Sequence, residues 1–142
     1  MATASLSTGQ GDRLQCVVVT PERTILDEPV EFVALPLYDG EIGIAPGRTP
    51  LIGRLGFGEM RTTLGGATRR YFLDGGFAQV RDNVVTVLTN RAIPAEQLDA
   101  SSVTTELERA KALPAGTTVA QDAKTRAVDR ARAQVRVASK RS

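Results

Sequence analysis

Apolar blocks alternate with turn-forming residues over the first two-thirds of the chain. Leu14-Gln15-Cys16-Val17-Val18-Val19 is a β-branched run ended by Thr20-Pro21, and residues 30–35 form a second run that stops at Pro36. Both are too apolar for clean alternation, so the pattern leaves open which face points inward. Two strand-like segments, 59–64 and 69–74, flank Gly65-Gly66, which suggests a hairpin. Asp74-Gly75-Gly76 reads as a further turn. A strand over 77–81, a turn at Asp82-Asn83 and a strand over 84–89 close the series. Turn signals this closely spaced predict a compact antiparallel sandwich or barrel over residues 14–92.

The period changes after Ala92. Pro94 suits the first turn of a helix, where its missing N–H costs nothing. Leu98, Val103, Leu107 and Ala110 then recur at spacings of five, four and three. Leu113-Pro114-Ala115-Gly116 breaks this loose stripe, and Thr117 is placed to cap a second helix over about 120–139. The stripe of that helix is Ala120, Ala123, Ala127, Ala131, Val135 and Ala138, with Arg126, Arg130, Arg132 and Arg136 spread over the remaining surface. Alanine favours the helix. Each Ala standing where a Leu could stand nevertheless forgoes about 2 kcal/mol of burial, at roughly 0.8 per CH₂. The expected plan is a flexible tail (1–13), a mainly β sandwich or barrel domain (14–92) and a lightly packed α-helical hairpin (93–142).

Composition narrows the chemistry. Hydrophobic residues make up 42% of the 142, enough for a core, but aromatics are 4% and Trp is absent, so that core must be mostly aliphatic. The absence of His excludes Ser-His-Asp and Cys-His catalysis and removes the commonest metal ligand. One cysteine, Cys16, makes neither an internal disulfide nor a Cys-rich zinc site and reads as a small buried hydrophobe. No apolar run approaches the ~20 residues that span a bilayer. Residues 1–13 lack the apolar centre of a secretory signal and read as the frayed tail of a cytosolic protein. Net charge is +2 but uneven: residues 122–142 hold seven Lys or Arg against two Asp, +5, leaving 11 basic and 14 acidic groups, −3, in residues 1–121.

Catalytic motifs are not found. There is no Walker A sequence, and Gly56-Phe57-Gly58 lacks the third glycine of a dinucleotide loop, where Arg61 stands. Asp39, Glu41, Asp74 and Asp82 fall at turn signals, where carboxylates are ordinary. The expectation is no catalytic residue, no metal and no cofactor. The basic second helix admits three readings: a solvated face, nucleic-acid or anionic-lipid binding through Arg–phosphate contacts, or docking onto an acidic protein surface. Residues 93–142 contain no aromatic for stacking or membrane insertion, which weighs against the second.

The stretch from Asp39 to Leu51, DGEIGIAPGRTPL, mixes three glycines and two prolines with Ile42, Ile44 and Leu51. It suits a hairpin tip or a docking loop. It also resembles the GE-GI-PGH-PL signature loop of the epsilon subunit of F-type (rotary) ATP synthases. Three further motifs follow the family order over residues 14–92. Thr20-Pro21-Glu22 matches its early turn. Residues 71–77, YFLDGGF, resemble its YFVDGGF strand and turn. Residues 83–88, NVVTVL, match its NxVTVL strand, with Ala92 as the closing alanine.

The resemblance implies a ten-stranded β-sandwich that couples the gamma shaft to the c-ring of a proton-translocating synthase and catalyses nothing itself. It implies C-terminal helices that switch between a folded-down and an extended form, the latter restraining ATP hydrolysis. The c-ring contact maps onto Asp39, Gly40 and Glu41. Arg126, Arg130, Arg132 and Arg136 are the candidates for facing an acidic segment of the beta subunit in the alpha/beta head. The implied location is peripheral, at the cytoplasmic face of the bacterial inner membrane. Arg48 stands where the family usually has His, and Gln79 where Glu is common. The (I/L)DxxRA motif by which some members bind ATP is degraded: after Leu98-Asp99, Ser102 replaces the arginine and Val103 the alanine, and a hydroxyl does not supply a phosphate-gripping fork. The alternative is a free-standing β domain whose basic helical tail binds nucleic acid or anionic lipid.

Overall fold

The computed structural model describes residues 13–47 and 50–139. Eight strands come first: β1 (Leu14–Val19), β2 (Thr24–Val30), β3 (Phe32–Leu37), β4 (Gly40–Ile44), β5 (Leu51–Leu64), β6 (Ala67–Arg81), β7 (Val84–Leu88) and β8 (Ala92–Pro94). A 3-10 turn, Ala95–Gln97, leads to helices α1 (Ala100–Lys111) and α2 (Thr118–Ser139). The strands bond in the order β2-β1-β7-β6-β5-β3-β4, with β8 beside β6. The pairs are antiparallel except β1 with β7, which is parallel.

β5 and β6, 14 and 15 residues long, pass through both layers of the sandwich. Their 51–54 and 77–81 halves lie with β7, β1 and β2. Their 57–64 and 67–74 halves lie with β3, β4 and β8. Eight continuous strands therefore supply ten strand segments in two layers.

Glycine makes the bend possible. Side chains alternate strictly along a strand, yet the core-facing residues of β6 are Tyr71 and Leu73 before the bend and Ala78 and Val80 after it. Odd positions give way to even ones, so the pleat must break between them. Gly75 and Gly76 break it, with φ of 70° and 111°. A Cβ on Gly76 would stand 1.9 Å from the Leu88 carbonyl oxygen, so no side chain fits there. β5 shows the same change of parity between Leu55 and Met60. This corrects the turn expected at Asp74-Gly75-Gly76: the segment is a kink inside one strand. Asp74 accordingly sits within β6 and is buried.

The core is aliphatic, as the composition predicts. Leu14, Cys16 and Val18 of β1 alternate inward and meet Val33, Leu35, Ile44, Met60, Leu73, Val80, Val85 and Val87. The Gly65-Gly66 hairpin forms with φ of 60° and 81°, and Asp82-Asn83 forms the β6–β7 turn. β2 was hidden from the pattern by Asp27, Glu28 and Pro29. It lies at the sheet edge, where a missing proline N–H leaves no ladder bond unmade.

The hairpin departs from expectation in two respects. Pro94 does not open an α-helix: it ends β8 opposite Tyr71 and stands immediately before the 3-10 turn Ala95–Gln97. α1 starts instead after Asp99, whose side chain accepts from the Ser102 N–H at 3.2 Å. Thr117 does cap α2, its Oγ1 accepting from the Ala120 N–H at 3.0 Å. The buried strip of α2 is Ala131, Ala133, Gln134 and Val137, while Ala123 of the expected stripe is exposed. The reason is that α2 has two neighbours. Ala131 and Gln134 border α1, and Ala133 and Val137 pack on the sheet.

Candidate functional site

The junction between α2 and the sandwich is built from few apolar groups. Phe72 is fully buried on the outward side of β6, and Phe57, Ile93, Ala95 and Leu98 surround it. From the helix only Ala133 and Val137 enter this cluster. A fully buried Val contributes roughly 2 kcal/mol and an Ala less. The apolar seal under α2 is thus small beside the sandwich core.

Charged contacts supplement it. Arg130 Nε donates to Asp74 Oδ1 at 3.0 Å, and its guanidinium lies 5.0 Å from the Phe57 ring centroid. Arg91 Nε donates to Asp74 Oδ2 at 3.4 Å. Nearer the helix C-terminus, Arg70 Nη2 donates to the Val137 carbonyl at 2.7 Å. Arg70 also pairs with Glu59. Glu59 in turn accepts from Arg61 Nη1 at 3.0 Å, and Arg61 binds both carboxylate oxygens of Glu41 at 2.8 and 3.1 Å. A continuous row of charges so runs from Glu41 to the end of α2. The hydrogen bond to Glu41, with smaller contributions from Glu59, raises the Arg61 pKa above its ordinary value.

Of the four arginines singled out from sequence, only Arg130 reaches the sandwich. Arg126, Arg132 and Arg136 are exposed and make no ion pair among the described residues. All four line an open groove of about 950 Å³ between α2 and the bend at Gly56, Gly75 and Gly76. Between the helices lies a second cavity of about 330 Å³, bordered by Glu106, Ala127 and Gln134. Glu106 Oε1 is buried there without a hydrogen-bond partner. Cavities thus flank the hairpin on two sides, while the contact strip between them, Ala131, Ala133, Gln134 and Val137, is buried.

Asp39 and Gly40 stand exposed at the β3–β4 hairpin, whose two-residue turn is Tyr38-Asp39. Glu41 is drawn back along β4 by Arg61. Arg48 lies outside the described residues. Ser102 is committed to capping: its N–H and Oγ, the latter at 2.7 Å, both bond the Asp99 carboxylate. Those bonds, with the one from Ser101, hold the Asp99 pKa below the ordinary value. Val103 is buried.

Sequence reasoning missed Asp74, although an acid in the apolar run Tyr71-Phe72-Leu73 is a legible anomaly. It also missed an apolar face on the outer side of the first layer. Ile52, Phe77 and Leu88 are 75%, 57% and 53% exposed on the adjacent strands β5, β6 and β7. Exposed apolar groups clustered in this way mark a docking surface more often than chance exposure does.

These features define a class of protein, a bent two-layer β-sandwich carrying a docked helical hairpin. The family profile described as "ATP synthase, Delta/Epsilon chain, beta-sandwich domain" matches residues 13–95. The ATP synthase epsilon chain of Rhodopirellula baltica is 53% identical over 123 residues, 87% of this chain and 96% of that one. The epsilon chain of Carboxydothermus hydrogenoformans is 44% identical over 100 residues, 70% and 75% of the two chains. Among solved structures, a chain of the Euglena gracilis mitochondrial ATP synthase (OSCP/F1/c-ring) superposes with a TM-score of 0.78 at 26% identity, over 85% of this chain and 78% of that one. A chain from the Tetrahymena thermophila central stalk and c-ring shares the fold, with a TM-score of 0.71 at 11% identity over 89% and 96%. This chain belongs to the ATP synthase delta/epsilon family, whose epsilon chain is an accessory subunit and not itself an enzyme.

Proposed function

We propose that the chain is the epsilon subunit of the central stalk of an F-type ATP synthase, coupling the gamma shaft to the c-ring of a proton-translocating complex. The observation that carries this reading is the bent sandwich itself, matched to epsilon chains over most of its length. The exposed face of Ile52, Phe77 and Leu88 is assigned to gamma, and the tip at Asp39, Gly40 and Glu41 to the c-ring. No helix among the described residues is long and apolar enough to cross a membrane. As part of such a complex, the subunit is assigned a peripheral place at the cytoplasmic face of a bacterial inner membrane, held through its protein partners.

The hairpin is the regulatory part. Released from the sandwich, α2 would carry Arg126, Arg130, Arg132 and Arg136 towards an acidic segment of the catalytic head and restrain ATP hydrolysis. Its thin apolar seal and the cavity between its helices support a two-state element whose gap is small enough to be tipped. Deleting residues 100–142 keeps β8 and should leave assembly intact while raising ATP hydrolysis by the complex. Unchanged hydrolysis would remove the regulatory half of the proposal.

A further inference from the structure

We infer that Asp74 is a latch within the chain: it holds α2 on the sandwich by binding Arg130, and so competes for that arginine with any acidic partner of the helix. The inference rests on the reading of the hairpin as a releasable regulator. Its geometry stands apart from that reading.

Asp74 is 5% exposed, and a buried carboxylate must be paired. Its backbone is fixed on both sides, the N–H donating to the Arg91 carbonyl at 3.1 Å and the carbonyl accepting from Asn90 Nδ2 at 3.3 Å. Its two carboxylate oxygens have different owners. Oδ2 takes Arg91, which belongs to the sandwich side, and Oδ1 takes Arg130, which arrives 56 residues later on α2. When α2 lifts, Asp74 keeps Arg91 and is not left unpaired. That limits the cost of opening, because the large penalties attach to buried charges stripped of every partner. Arg130 meanwhile becomes free to take another carboxylate. The switch exchanges one acid for another on the same guanidinium, which keeps the two states close in free energy. A partner tips the balance only by binding the released helix better than Asp74 does.

Amide hydrogen exchange on the full-length chain reads the latch directly. Asp74→Asn should speed exchange of α2 amides 127–137 roughly tenfold, the scale of one charge-assisted hydrogen bond, and leave β1 and β7 unchanged. Arg130→Gln removes the same bond from outside the sandwich and should give the same acceleration. The double variant should add nothing further. Unchanged α2 exchange in Arg130→Gln overturns the latch, whatever Asp74→Asn does. In the assembled synthase, Asp74→Asn should lower ATP hydrolysis by populating the released helix. Accelerated exchange with unaltered hydrolysis would keep the latch and overturn the regulatory reading instead.

Discussion

Phe77 and Leu88 lie directly opposite each other on β6 and β7, and both face outward. Arg54 of β5 pairs with Phe77 on its other side, and Ile52 follows two residues before. The face lies outside the buried core, so its apolar side chains stabilise the fold only through their cross-strand pairing. Phe77→Ser should lower the unfolding free energy of the isolated chain by only about 1 kcal/mol, the scale of one exposed cross-strand pair. The same variant should bind purified gamma at least tenfold more weakly. Loss of stability without loss of gamma binding would show the face to be structural.

The bend makes a sharper prediction about stability. Gly76→Ala places a Cβ against the Leu88 carbonyl at a φ of 111°. A loss of about 3 kcal/mol or more is expected from backbone strain and displaced pairing. Gly65→Ala also puts a side chain at positive φ, 60°, but meets nothing within 4 Å. It should cost only about 1 kcal/mol. Denaturant titration of the two variants side by side checks the contrast.

Cys16 carries a pH signature. Burial, helped by Glu28 and Asp27, pushes its thiol from 9.0 up to about 12. Below about pH 9 the thiol is protonated in both folded and unfolded chains, and the full contribution is present. Between about pH 9 and 12 the unfolded chain releases the proton and the folded one keeps it, so stability falls as pH rises through that window. Cys16→Ala should flatten this part of the profile. In the native protein at pH 8, alkylation of Cys16 should be no faster than global unfolding.

Nucleotide binding should be weak. The family's ATP motif needs an arginine where Ser102 stands, and Ser102 is spent on the Asp99 cap. Titration calorimetry of the free chain with ATP should give no tight complex. A tight one would mean that another arginine, such as Arg109 beside the inter-helix cavity, has taken over the role.

Much of the fold was legible because its signals are local. Gly65-Gly66 and Asp82-Asn83 mark hairpins through their positive φ, and Thr117 marks a helix start through its hydroxyl. What escaped depends on neighbours distant in sequence. An Asp-Gly-Gly triplet signals a reversal and a kink alike, and only the parity of Leu73 against Ala78 separates them. The α2 strip could not be read from one period, because the helix packs on both α1 and Phe72. The four arginines look equivalent in sequence, and only the position of Asp74 singles out Arg130.

The central claim is that this chain works between the gamma shaft and the c-ring. A tagged full-length chain, expressed in the cells that encode it and purified gently from their membranes, tests that most directly. Recovery of gamma and the c-ring in fixed proportion to the tagged chain is the predicted result. Recovery of the chain alone, with the synthase intact in the unbound fraction, would contradict it.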